Sequence, residues 1–240
     1  MICTEFEWEG FKGLEFEFDG LSAKLIKPNI KPSGKWALKA EYFGAFPKAE
    51  IELLNRGWHI AYNENYDRWA QDRDVKRKCE FIKHVSSKFN LDKKCAIVGM
   101  SCGGMYGVKV AAMVPELVSS LYLDAPVMNL LSCPAGIGNG TGELWEEFYS
   151  ITGLSLSELI NYRQNPVDNM DILVSNNIPV ILVCGDSDNL VPYEENGKQL
   201  YDYYIKNNGK IKLILKEGCG HHPHGLDDAH DVVEFIEDNY

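Results

Sequence analysis

The sequence predicts an α/β fold: a mostly parallel central sheet with helices on both faces and an antiparallel hairpin at its start. Two observations predict it. From Trp36 onward, short apolar runs alternate with amphipathic stretches of helical period, the rhythm of parallel strands joined by crossover helices. Ahead of them, Phe6 and Trp8 lie before Gly10-Phe11-Lys12-Gly13, and Leu14, Phe16 and Phe18 lie after it. Both sets alternate with polar residues, as the half-buried strands of a hairpin do.

Each element follows in order. Leu21 to Ile26 is a third strand, and the Pro- and Gly-bearing stretch from Lys27 to Gly34 is turn material. Trp36 to Ala40 reads as a buried strand, Ala49 to Arg56 as a short helix stopped by Gly57, and Trp58 to Tyr62 as the next strand. Between Asp72 and Phe89 apolar residues recur at Val75, Cys79, Ile82, Val85 and Phe89, with acids early and Lys88 late, so periodicity and helix dipole agree on a helix. Cys95 to Val98 is a strand, Gly104 to Met113 a helix, and Val118 to Leu123 a strand. Residues 124–177 break the rhythm with a Gly-rich run and short helical fragments, and are expected to form a small cap-like insertion within a single domain spanning 1–240. The alternation resumes with a strand at Pro179 to Cys184, a helix from Tyr193 to Lys206, a strand at Lys210 to Leu215 and a helix within Asp228 to Asp238.

Composition excludes several function classes. The chain of 240 residues is 45% apolar and 25% charged, as in ordinary globular proteins. A formal charge of −11, with no basic stripe interleaved with aromatics, argues against nucleic acid or an anionic membrane as partner. The first residues lack the basic start and apolar run of a secretory signal, and no stretch is long enough to span a bilayer. Seven cysteines, odd in number and scattered singly, read as reduced thiols. The expected location is the cytoplasm.

Gly99-Met100-Ser101-Cys102-Gly103-Gly104 joins the strand Cys95 to Val98 to the helix behind it, so Ser101 sits on a tight strand-to-helix turn between small residues. This resembles the Gly-x-Ser-x-Gly nucleophile elbow of the α/β-hydrolase family. The resemblance covers about Lys35 to Tyr240 and is nearest to small bacterial serine esterases, some of them carbohydrate esterases. It implies Ser101 as nucleophile, followed in the chain by an acid and then a histidine.

Two loops at strand ends supply the partners. After Pro179 to Cys184 comes Gly185-Asp186-Ser187-Asp188; spacing leaves Asp186 and Asp188 open, and similarity to the family's Gly-x-x-Asp turn selects Asp188. After Lys210 to Leu215 comes Gly218-Cys219-Gly220-His221-His222-Pro223-His224. A metal tract is one reading of three histidines, but no repeated cysteine or carboxylate spacing accompanies them, and no metal or organic cofactor is expected. The family's histidine follows a glycine in this loop, which points to His221, with His224 as the alternative base.

An oxyanion hole needs two donors aimed at the developing charge. The backbone amide of Cys102, at the start of the helix, is one. The loop Glu41 to Pro47 should supply the other; it departs from the family's usual His-Gly start, and Phe43 is assigned the role with Gly44 as the bend, core packing being the competing role for these aromatics. Asn63, Tyr66, Asp67, Arg68 and Trp69 follow a strand that ends at the same edge, and with Asn129, His222 and His224 they suggest a polar, aromatic substrate pocket. The expected activity is hydrolysis of a small polar or sugar-bearing carboxylic ester through an acyl-enzyme. Peptide or amide hydrolysis is the alternative, placed second because related peptidases commonly carry a large gating domain. A non-catalytic ligand-binding protein on the same scaffold is a third reading.

Overall fold

The structure, a computed structural model, describes residues 3–240. Nine strands form one sheet in the order β1-β2-β3-β5-β4-β6-β7-β8-β9. The first three, β1 (Cys3–Trp8), β2 (Phe11–Phe18) and β3 (Leu21–Ile26), are antiparallel, and β3 continues the sheet antiparallel to β5 (His59–Asn63). Beyond β5 every pairing is parallel, through β4 (Trp36–Lys39), β6 (Cys95–Met100), β7 (Val118–Asp124), β8 (Val180–Gly185) and β9 (Ile211–Lys216). This is the mixed sheet of the α/β-hydrolase fold.

The first hairpin turns earlier than its glycines suggest. Trp8 pairs with Phe11, so the turn is Glu9-Gly10, with φ of 50° and 78°. Two consecutive left-handed residues form the tight turn whose twist matches that of the strands. Gly13 instead lies inside β2 opposite Phe6, whose ring stands 2.5 Å from where a Cβ would be. Its missing side chain serves packing, which sequence alone does not separate from turning.

Helices cover both faces. On one side α2 (Asp72–Phe89), α3 (Cys102–Met113) and α7 (Gly197–Lys206) pack on Ile97, Leu121, Leu123 and Leu182. On the other, α1 (Lys48–Asn55) and α8 (His230–Asp238) pack on Ala96, Val98, Tyr122, Ile181 and Val183. Neighbours along one strand thus enter opposite cores, so the central strands read as continuous apolar runs. The segment after β7 carries α4 (Trp145–Thr152), α5 (Leu156–Asn161) and α6 (Met170–Ser175), and buries Phe148, Leu159 and Leu173 in the same core as α3. Among the described residues no helix is long and apolar enough to cross a membrane.

Candidate active site

Ser101 is held where β6 turns into α3. Its backbone lies at φ 52°, ψ −121°, unusual for a residue with a side chain, and three bonds hold it there. Its N–H donates to Asp124 O at 2.9 Å, and its carbonyl accepts from Gly104 N and Val127 N at 2.9 and 3.0 Å. The flanking glycines are steric requirements. A Cβ on Gly99 would stand 2.5 Å from Gly103 O, and one on Gly104 would run into Pro126.

The loops after β8 and β9 bring Asp188 and His221 to this serine. Ser101 Oγ donates to His221 Nε2 at 3.0 Å, and His221 Nδ1 donates to Asp188 Oδ2 at 2.6 Å. All three residues are buried. The other Asp188 oxygen accepts the N–H groups of Leu190 and Val191 at 2.9 and 2.8 Å, which orients the carboxylate. Asp186 faces elsewhere: it is exposed, and its Oδ1 accepts from Gly218 N at 2.8 Å, tying the two loops together. A Cβ on Gly185 would collide with Cys219 O, so the loops approach closely only because residue 185 is glycine. His224 is turned to a different carboxylate, with Nδ1 donating to Asp124 Oδ1 at 2.6 Å, and Gly225 N donates to Asp124 Oδ2 at 2.7 Å.

A cavity of about 260 Å³ opens over Ser101, walled by Tyr42, Ala45, Phe46, Arg68, Met100, Leu144, Leu190 and the three histidines. A larger one, about 580 Å³, shares Phe46 and His224 with it and is lined by Tyr122, Leu226 and Val232. Phe43 does not wall either cavity; its ring packs between Trp8 and Tyr62 at 5.1 and 5.3 Å. Tyr42, its neighbour, takes the position over the serine, at φ 56°. Its phenol lies against the Cys102 thiol and Arg68, and burial raises its pKa well above the ordinary value, so the hydroxyl keeps its proton. Burial also pushes the Cys102 thiol up to about 11, leaving that sulfur inert as a nucleophile.

The residues after β5 divide between wall and scaffold. Arg68 walls the cavity, its Nε donating to Glu147 Oε1 at 2.7 Å while its terminal nitrogen pairs with Oε2. Trp69 is buried beside it, donating to the same Glu147 oxygen at 3.1 Å. Asp67 accepts from Trp69 N and Gln71 Nε2 at 2.8 and 2.7 Å, which shapes its own loop. Asn63 is wholly buried and accepts from Lys78 Nζ through O and Oδ1 at 3.1 and 3.3 Å. Tyr66 lies exposed under the Arg73 guanidinium at 4.0 Å. Asn129 caps a turn, its Oδ1 accepting from Leu131 N at 3.0 Å. Of the residues expected around a substrate, Arg68, His222 and His224 therefore line the cavity. Tyr42 and Glu147 were not signalled; Tyr42 had only its place in the loop after β4, at the same sheet edge as Ser101.

The sequence pattern of the prolyl oligopeptidase family, peptidase S9, matches residues 55–240, more than half of the chain. Among solved structures, a puromycin-hydrolyzing peptidase of Mycobacterium tuberculosis aligns with 95% of this chain at 15% identity and a TM-score of 0.73. Dipeptidyl peptidase 4 of Porphyromonas gingivalis aligns with 96% at 14% identity and 0.70, and an acylaminoacyl peptidase of Pyrococcus horikoshii with 99% at 14% and 0.65. The chain spans 38%, 35% and 40% of those chains respectively. At such identities the structures show the fold. The family match corrects the expectation of a serine esterase or carbohydrate esterase, and with it the small-molecule ester assigned as partner. The elbow and the Ser-Asp-His order that suggested an esterase are shared by peptidases, and chain length did not separate the two. The chain belongs to the prolyl oligopeptidase family, peptidase family S9.

Proposed function

We propose that this protein is a serine hydrolase that cleaves peptide or amide bonds through an acyl-enzyme on Ser101. The hydrogen-bonded chain from Ser101 Oγ through His221 to Asp188, at 3.0 and 2.6 Å, carries this reading. His221 accepts the serine proton as Oγ attacks the carbonyl, and Asp188 holds the imidazole tautomer and stabilises the imidazolium. The tetrahedral oxyanion is met by the backbone amide of Cys102 and by the Tyr42 phenol, which takes the part first given to Phe43. His221 then delivers its proton to the departing amine, and water removes the acyl group by the same steps reversed. The peptidase names of the family and of the similar structures support an amide leaving group.

A panel of aminoacyl and peptidyl p-nitroanilides tests it. Turnover that disappears in Ser101→Ala while folding is retained is the expected result. If Ser101 labels with a fluorophosphonate yet no amide in the panel turns over, the amide reading fails. If Ser101 does not label, and a His221→Ala control behaves identically, the chain is a binding protein instead.

We also infer one domain over 1–240, with 124–177 as a cap, because Phe148, Leu159 and Leu173 share the core of α3. A single cooperative unfolding transition is expected. All seven cysteines are free thiols, which supports a reducing cytoplasmic location, checked by fractionation.

A further inference from the structure

The loop after β9 carries more imidazole than the proposed chemistry uses. Ligand-capable atoms of His221, His222 and His224 all lie within 4.8 Å of one another. Their rings meet pairwise at centroid separations of 4.7, 4.8 and 4.9 Å. Only His221 bonds Ser101, so the other two have no proton to move in the reaction.

Two of the three rings are backed by buried carboxylates, Asp188 behind His221 and Asp124 behind His224, each accepting from Nδ1 at 2.6 Å. A carboxylate there fixes the tautomer whose Nε2 lone pair is outward, as in the carboxylate–histidine–zinc arrangement. The same carboxylates supply two negative charges within a buried site. His222 is the exposed member, its ring stacked on Phe46 at 5.9 Å. Tetrahedral Zn–N bonds of about 2.0–2.1 Å set ligand nitrogens about 3.4 Å apart, so closing from separations of at most 4.8 Å takes a movement of no more than about 1.4 Å. Three imidazoles with an open fourth position suit Zn²⁺, whereas Ca²⁺ and Mg²⁺ need oxygen ligands, and these carboxylates are engaged behind the rings.

We propose that His221, His222 and His224 form a binding site for Zn²⁺ or a similar transition-metal dication, and that its occupation switches the hydrolase off by taking the His221 lone pair that receives the Ser101 proton. The switching rests on His221 being the base; the site itself does not.

Cobalt is the probe, because Co²⁺ in a tetrahedral nitrogen site absorbs in the visible. Titration of metal-free Ser101→Ala protein with Co²⁺ is expected to show one equivalent bound and displaced by Zn²⁺. His222→Gln and His224→Gln each weaken binding by at least about 10-fold, and Asp124→Asn by about 10- to 100-fold. In the wild type, saturating Zn²⁺ slows fluorophosphonate labelling of Ser101, and chelator restores it. No binding at one equivalent, undiminished binding in both histidine variants, or a thiolate-to-cobalt charge-transfer band would each overturn the site. A zinc-saturated protein that labels at the full rate would overturn the switch. If metal-free wild type fails to label, the hydrolase reading falls while the cobalt titration still decides the site.

Discussion

At Ser101 the backbone occupies a conformation that costs about 1–3 kcal/mol, held by bonds from β7 and from the turns that follow. That strain lifts Oγ clear of the strand and aims it at His221. Adjacent residues in the neighbouring loops then take separate tasks. Asp188 backs His221, while Asp186 staples Gly218; Asp188→Asn should lower kcat by about 10⁴-fold, and Asp186→Asn, which keeps its acceptor, should leave kcat near wild type. Comparable losses in both would remove the distinction. Tyr42→Phe removes the phenol proposed as an oxyanion donor and, in that role, should lower kcat by about 100- to 1,000-fold with little change in KM. A change confined to KM would make the phenol a substrate contact.

The loop carrying Tyr42 is positioned by the elements on either side of it. Lys39, at the end of β4, pairs with Glu50 of α1 at 2.5 Å and donates to Ala45 O at 3.2 Å, with both charged side chains buried. Lys39→Met leaves Glu50 buried without its partner and should cost about 3–5 kcal/mol of stability in urea unfolding. The double variant Lys39→Met with Glu50→Leu should recover most of that loss while activity stays low, because the tie to Ala45 is gone. Full activity in the double variant would show that the loop holds its shape unaided.

Across the whole molecule, pH acts on stability through its buried ionisable groups. Lys78 on α2 is wholly buried, and burial pushes its pKa down to about 7. Between that value and the 10.5 of an exposed lysine the unfolded chain binds the extra proton, so Lys78 makes stability rise as pH climbs above about 7. From about pH 8 the trend reverses, because burial keeps the thiols of Cys79, Cys95, Cys102, Cys133 and Cys184 protonated while their unfolded forms ionise first, and buried Tyr106, Tyr122 and Tyr204 extend the loss to higher pH. Thermal unfolding should thus show a rise in Tm between pH 7 and about 8 that Lys78→Met flattens; an equal rise in the variant assigns it to other groups. At the same scale, the sequence by itself determined the order of strands and helices and the serine turn, because period, breakers and close-packed glycines are local properties. Gly99 and Gly103, flanking Ser101, announce the elbow before any contact is known. The family resemblance already selects Asp188; only the tertiary structure shows Asp186 turned to Gly218, Tyr42 and not the Phe43 ring walling the cavity, and His224 paired with Asp124. Asn63, Tyr66 and Asp67 likewise looked like pocket residues until their partners were seen. Residues a step or two apart in a loop face different ways, and the direction each faces is set by packing against segments distant in the chain.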